Sequence, residues 1–438
     1  MRRLFKHLRN GMGFLLILSG KLLSQDRFPR PDFESDYSKP LLETPLPQHV
    51  GFEFLDVFVL FLTLSIASYL VLKQRSRNMI FLLSMFSLAY FGFWREGCIC
   101  PIGSIQNTTL AIFDPSYFIP LSALIFFILP LLFALFFGRT FCAGVCPMGA
   151  AQELALIKPH KVHPKVAAVL GLVPYAFLGA AILFVATGAG FIICRLDPFV
   201  AFFRFGGEFK MILFGCLFLL VGMFYGRPYC RFLCPYGVLL GWASKFSKWH
   251  HSITPDVCTQ CRLCEASCPF DAIDKPLPEL SQPEQKEAGH RLGKLIITTL
   301  VLVIIGAGVG YLLSDSLSKM HPSITLAERV LAEKEGLVEG TTLASKTFHE
   351  SGELTADLLT EASDIKAQFK IGSVLLGIFM GLVIGLKGIG VFFKRTSKDY
   401  ESNRTDCFSC GRCFPYCPDE HERQKVLDAQ RDLYESIG

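Results

Sequence analysis

Charge is scarce in this 438-residue chain: Asp, Glu, Lys and Arg make up 18% of it, against 51% apolar residues and a mean hydropathy of +0.41. Soluble domains carry about 25% charged residues, so a soluble fold is excluded and a polytopic helical membrane protein is expected. Histidine is missing where a membrane haem would need it. The ten histidines, at 7, 49, 160, 163, 250, 251, 290, 321, 349 and 421, all lie outside the apolar runs, which argues against paired axial ligands for haem b. There is no G-x-G-x-x-G after a strand, no G-x4-G-K-[ST] and no C-x-x-C-H, so nicotinamide, nucleotide and c-type haem sites are not indicated. The net charge of +5 is modest, and the basic residues gather in loops beside apolar runs, a signal of topology rather than of nucleic-acid binding.

Cysteine, by contrast, is plentiful, with 16 copies grouped at ligand spacings. Cys258, Cys261, Cys264 and Cys268-Pro269 form a C-x2-C-x2-C-x3-C-P run, and Cys407, Cys410, Cys413 and Cys417-Pro418 repeat it. This is the bacterial ferredoxin pattern for [4Fe–4S] clusters, in which the fourth cysteine of each run serves the other cluster. Cys258, Cys261, Cys264 and Cys417 are therefore expected on one cluster, and Cys407, Cys410, Cys413 and Cys268 on a second. Zinc sites usually pair two C-x2-C units across a longer gap, and disulfides do not need this spacing.

Seven apolar stretches read as membrane spans, at about 52–72, 79–94, 117–138, 166–188, 209–226, 295–313 and 371–393. Before them, residues 1–51 combine a basic start, a short apolar run expected to be an anchoring or interfacial helix, and a proline-bearing extended segment. The remaining divisions are a membrane core at 52–250, a first ferredoxin half at 251–292, a membrane hairpin at 293–394 and a second ferredoxin half at 395–438. Within the hairpin, 314–370 is an acidic segment with helical patterning. Lys and Arg at 73–77, 139, 158–165, 227–292 and 394–438 all fall on one side, which the positive-inside rule makes cytoplasmic in a bacterial inner membrane. The hairpin then explains how motifs 139 residues apart, Cys268 to Cys407, meet on that side. Gly306 and Gly310, with Gly377, Gly381 and Gly385, stand at close-packing spacing on its two helices. Asp56 and Lys387 are the ionisable residues within spans, and both lie near span ends, where interfacial solvation is expected.

A second constellation repeats within the membrane core. Phe137-Gly138-Arg139-Thr140-Phe141-Cys142 through Cys146-Pro147-Met148-Gly149 aligns with Tyr225-Gly226-Arg227-Pro228-Tyr229-Cys230 through Cys234-Pro235-Tyr236-Gly237. Cysteines four apart share one face of a helix. Two such pairs, Cys142 with Cys146 and Cys230 with Cys234, brought together by pseudo-symmetry, would supply four thiolates and are expected to hold a third cluster. A partial third copy, Cys98-Ile99-Cys100-Pro101-Ile102-Gly103, lies with Cys194 on the outer side, and these three cysteines are expected to form a further metal site. Cys216 stands alone in a helix and reads as a packing residue.

These C-x3-C-P repeats after membrane helices, the Asp197-Pro198-Phe199 turn and the ferredoxin motifs resemble the membrane polyferredoxins of the NosR/NapH type, over most of residues 80–270 and 400–420. The resemblance implies electron transfer between a membrane or outer-side donor and cytoplasmic clusters, with the quinone pool or a flavoprotein as partner. It carries no expectation of a covalent flavin here, and the two spans between the ferredoxin motifs depart from it. The function expected is a membrane-embedded iron–sulfur electron-transfer subunit. Such a subunit would work as one component of an oxidoreductase, with a possible role in quinol oxidation. The alternative is an assembly or maturation factor that uses its clusters to reduce or insert metal into a respiratory enzyme. A hydrocarbon core of ~30 Å separates the two faces, so an intermediate carrier within the membrane is expected: a bound quinone or a recessed cluster.

Overall fold

The computed structural model describes residues 50–97, 100–204, 206, 209–253, 258–277, 282–392, 398–423, 425, 426 and 429. The expected N-terminal anchor at 1–49 and Cys98 lie outside the described residues.

Helix α1 (Val50–Tyr69) runs into a π-helical turn, Leu70–Gln74, that closes on Arg75 in left-handed backbone at φ 53°. Helix α2 (Arg77–Ser87) likewise passes into π-helix over Leu88–Trp94. The chain continues through α3 (Pro101–Phe113), α4 (Leu121–Phe137), α5 (Pro147–Ala155), α6 (Val173–Ala186), α7 (Phe209–Gly222) and α8 (Pro235–Lys245). Two long helices follow, α9 (Gln282–Ser318) and, after the short α10 (Pro322–Lys334) and α11 (Leu343–Ser351), α12 (Thr355–Phe392).

Among the described residues four helices are long and apolar enough to cross a membrane: Gly51–Gln74, Pro164–Ala186, Gly289–Ser318 and Thr355–Gly390. The other three expected spans are shorter. At 1.5 Å per residue, α4 and α7 rise about 26 and 21 Å, less than the hydrocarbon core, and the 79–94 stretch is divided between α- and π-helix. Each of these three runs leads into a cysteine loop, and the loops at 139–145 and 226–229 are buried in protein. Irregular backbone at membrane depth is tolerated where protein surrounds it.

One apolar core joins the membrane helices to the ferredoxin motifs. It contains Leu60, Leu64, Phe91, Phe133 and Tyr229, and runs on to Phe270, Phe408 and Cys410. Helices α9 and α12 pack antiparallel, backbone against backbone. A methyl group on Gly306 would strike the Gly377 carbonyl, one on Gly310 the Ser373 carbonyl, and one on Gly381 the Leu302 carbonyl. Outside that pair, Ile324, Ala327 and Val330 of α10 and Phe348 of α11 pack on Leu358, Ile365 and Phe369 of α12. Cys216 is exposed on α7 and so is not the buried packing residue expected.

The two intramembrane charges have partners inside the protein rather than at the interface. Asp56 is buried, pairs with Arg95 and accepts a hydrogen bond from Tyr90 Oη at 2.9 Å. Lys387 Nζ donates to the Gly171 carbonyl at 2.5 Å and lies 4.6 Å from the Tyr175 ring centroid. Both charges therefore pin neighbouring segments together.

Candidate functional site

The two ferredoxin halves form one module. Strand β1 (Ile273–Asp274), just after the first motif, pairs antiparallel with β2 (Glu401–Ser402), just before the second, in the register Ile273 to Ser402 and Asp274 to Glu401. In both motifs the backbone turns left-handed at matching positions. These are two residues after the first cysteine (Gln260, φ 53°; Ser409, φ 54°) and one after the second (Arg262, φ 64°; Gly411, φ 72°). Only one of these four is glycine, and a non-glycine residue there is strained unless something holds it. Successive left-handed turns aim backbone N–H groups inward as an anion-binding nest, and the Ser409 N–H donates to Cys407 Sγ at 3.4 Å.

The fourth cysteines cross over. Cys258, Cys261, Cys264 and Cys417 line one cavity with Ile253, Tyr400 and Asp419. Burial pushes the Cys264 thiol up to about 11, and the sulfurs of Cys258, Cys261 and Cys417 add to it. Around the second motif, burial and then Cys407, Cys410 and Cys268 push the Cys413 thiol well up. Cys264 also acts on Cys413, so the two sets are neighbours. His251 lies beside the second set, with Nε2 3.5 Å from Cys413 Sγ and its ring stacked on Phe414 at 4.7 Å. Burial first, then Arg75 and His250, hold this histidine down to about 3, so it is neutral. A thiolate only accepts hydrogen bonds, so Nε2 is the protonated nitrogen when Cys413 is ionised.

The membrane repeat builds a third four-thiol group. Each C-x3-C pair sits at a junction between two helices, not on the face of one as expected from spacing. Cys142 lies in a single turn, Thr140–Gly144, and Cys146 caps α5; Cys230 lies in Pro228–Phe232, and Cys234 caps α8. The proline after the second cysteine breaks the helix and is tolerated as the first residue of the next. The C-P-x-G glycine then has a purpose: the N–H of Gly149 reaches Cys146 and that of Gly237 reaches Cys234. Thiolates at helix N-termini are stabilised in this way. Burial pushes both thiols well up, Cys230 and Cys142 push Cys146 further, and Cys230, Cys146 and Cys142 push Cys234 further. Four sulfurs this close and this dry do not ionise together unless a positively charged centre compensates them.

The arginines of the repeat are exchanged between its two copies. Arg227 Nη1 lies 3.2 Å from where a Cβ on Gly149 would sit, and Arg139 Nη2 lies 3.3 Å from the same point on Gly237. Arg227 is fully buried, donates to the Cys142 carbonyl and acts on Cys230, Cys410 and Cys142. Its Nη2 has no hydrogen-bond partner among the described residues, an orphan donor between the membrane group and the second motif. Arg139 donates to the Thr405 carbonyl at 2.9 Å and lies 4.3 Å from the Phe408 ring. Phe408 meets Phe270 edge-on at 4.9 Å, and Gly226 leaves room for Pro269 and Phe270. Buried Glu153 gathers Arg77, Arg227 and Arg412, and Arg77 also donates to the Cys410 carbonyl at 2.9 Å. Burial alone would raise the Glu153 carboxyl, but Arg227, Arg77 and Arg412 outweigh it and hold it at about 2.

Of the three cysteines expected on the outer side, Cys100 caps α3 in the same C-P-x-G manner. It lines a cavity with Cys146, Phe141, Met148 and Phe203, so it is not separated from the membrane group by the width of a bilayer. The reason is that α3 turns back into the bundle and packs on α4 and α6. Cys194 is exposed, and its N–H donates to Gln106 Oε1 of α3 at 3.3 Å.

All described cysteines are free thiols. Among the described residues no three His, Cys, Asp or Glu side chains close on one point as a single ion requires.

A family model described as a 4Fe-4S binding domain matches residues 119–162 and again 209–253, one copy of the cysteine repeat in each, and another 4Fe-4S binding domain matches 251–274. Protein NirI of Paracoccus denitrificans is 33% identical over 34% of this chain and 24% of its own length. The putative electron transport protein YccM of Escherichia coli is 24% identical over 43% of this chain and 65% of its own. The regulatory protein NosR of Stutzerimonas stutzeri is 24% identical over 43% and 28%. The chain is related to the NosR/NapH-type membrane polyferredoxins. It spans less than two thirds of each of these relatives, and no solved structure matches it. The chain carries 4Fe-4S binding domains next to helices apolar enough to span a membrane.

Gln152, Glu153 and His251 belong to this site without standing in any motif. Glu153 and Gln152 had one visible signal, a polar pair in an otherwise small and apolar helix; His251 had none.

Proposed function

We propose that this polyferredoxin is an electron-transfer subunit of a bacterial inner membrane, holding three [4Fe–4S] clusters in series. The set Cys142, Cys146, Cys230 and Cys234 would hold the membrane-side cluster. Cys407, Cys410, Cys413 and Cys268 would hold the middle one, and Cys258, Cys261, Cys264 and Cys417 the terminal one. Such clusters supply one-electron chemistry at potentials set by charge, hydrogen bonds and burial. The observation that carries the reading is continuity. Arg227 donates to the Cys142 carbonyl and is close enough to Cys410 to feel its charge, as Cys413 feels that of Cys264, so no thiol group stands apart. The order is the reverse of the sequence order: the later motif is plugged into the membrane core, while Cys261 of the earlier one is exposed.

The chain's own residues do three things. The αL turns and cysteine caps orient thiolates, the arginine layer offsets their negative charge, and the aromatic packing of Phe270 and Phe408 excludes water between the groups. The ferredoxin face would be cytoplasmic and would meet a soluble or membrane redox partner at the Cys261 edge. Cys100 and Cys194 would mark the outer approach, where a quinone or another donor exchanges electrons. Anaerobic purification with iron and sulfide counting, followed by EPR, tests this: about twelve irons per chain are expected, and about eight would leave the membrane group without a cluster.

A further inference from the structure

The two copies of the membrane repeat match at both cysteines, at the arginine and at the C-P-x-G glycine, yet they part six residues after the second cysteine. There the first copy has Gln152 and the second has Leu240. Both side chains are buried, Gln152 completely. The Gln152 amide is fixed by its surroundings. Its Oε1 accepts from the Tyr229 N–H at 3.0 Å, which leaves Nε2 to donate to the Met148 carbonyl at 3.0 Å and to Cys230 Sγ at 3.3 Å. Because Tyr229 N–H is only a donor, the opposite flip of the amide would set two donors face to face. Leu240 is the counterpart that the repeat's pseudo-symmetry assigns to Cys142, and it has nothing to donate.

We infer that Gln152 is a positioning residue that raises the reduction potential of the membrane-side cluster through an N–H···S hydrogen bond to Cys230, and that Leu240 makes this support one-sided. The inference rests on the reading that Cys142, Cys146, Cys230 and Cys234 hold a cluster. A donor aimed at a thiolate draws negative charge off the sulfur, so it favours the reduced state, which carries one more electron. In a dry site such a bond weighs more than in water, and hydrogen bonds to sulfur are among the levers that set cluster potentials. Repeat symmetry brings the four thiols together; this broken position makes them unequal.

The test compares the full chain with Gln152→Leu, which copies the second repeat into the first, and with Leu240→Gln, which does the reverse. Midpoint potentials are read by EPR-monitored potentiometry, alongside iron and sulfide counts. In Gln152→Leu the midpoint of the membrane-side signal is expected to fall by about 59 mV, a tenfold change in the one-electron equilibrium, with iron content kept. In Leu240→Gln it is expected to rise. If Gln152→Leu keeps its iron and its midpoint does not fall, the inference is overturned while the cluster reading stands. If Gln152→Leu loses iron, Leu240→Gln decides, and no rise there overturns the inference. A wild-type count of about eight irons would overturn the cluster reading and this inference with it.

Discussion

Cys268 sits at the hinge between two chemical environments. The turn Leu263–Ser267 ends on it, Pro269 follows, and its sulfur acts on Cys413 and Cys407 of the second motif. Cys268→Ala is therefore expected to remove or convert the cluster held by Cys407, Cys410 and Cys413, and to leave the signal of the Cys258, Cys261, Cys264 and Cys417 cluster in place. EPR of the reduced protein checks this, and loss of the latter signal alone would refute the crossover. At this scale the motif spacing was highly legible, because a cluster demands thiolates at set intervals whatever the rest of the fold does. The residues that modulate them were not. Gln152 and His251 act on Cys230 and Cys413 across 78 and 162 positions, and no local pattern marks a contact of that separation.

Elements were legible in kind and less so in length. The hydropathy of α4 and α7 reads as spanning, but each gives way to a buried cysteine loop, and a hydropathy window cannot distinguish lipid from protein as the apolar surroundings. The C-x3-C pairs share a spacing with helix faces, and only the following proline signals a junction. Helix α5 shows what a short element does here, since its Glu153 ties Arg77 at the start of α2, Arg227 of the second repeat and Arg412 of the second ferredoxin motif. Removing the carboxylate leaves the buried Arg227 guanidinium, and the half-buried Arg77 and Arg412, without their counter-charge, and breaking a buried pair from one side costs about 3–5 kcal/mol. Glu153→Gln is thus expected to loosen the docking of residues 398–423, seen as faster proteolysis there and a lower Tm. The sign with pH follows from the depressed carboxyl. Its stabilising contribution is present above the ordinary glutamate value of 4.5 and is lost as pH falls toward about 2. Thermal unfolding of wild type should lose part of its advantage over Glu153→Gln across that range, and a constant difference would count against the ion-pair account.

At the scale of the whole molecule, the chain leaves the first ferredoxin half along α9, returns along the antiparallel α12, and sets its last motif against the apolar core and its own earlier motif. Sequence order suggests that Cys258 to Cys268, nearest the core in the chain, is also nearest in space; packing reverses this, because Phe408 and Cys410 belong to the membrane core while Cys261 is exposed. If electrons pass in series, the middle group is indispensable to communication but not to either end. Cys407→Ser with Cys410→Ser should abolish the middle cluster. With a reduced soluble ferredoxin as donor, stopped-flow spectroscopy should then show the terminal cluster reduced as in wild type, and the membrane-side cluster reduced slower by orders of magnitude. Equal slowing of both would place the lesion at docking, and an unchanged membrane-side rate would mean that electrons enter there by another path, through the approach marked by Cys100 and Cys194.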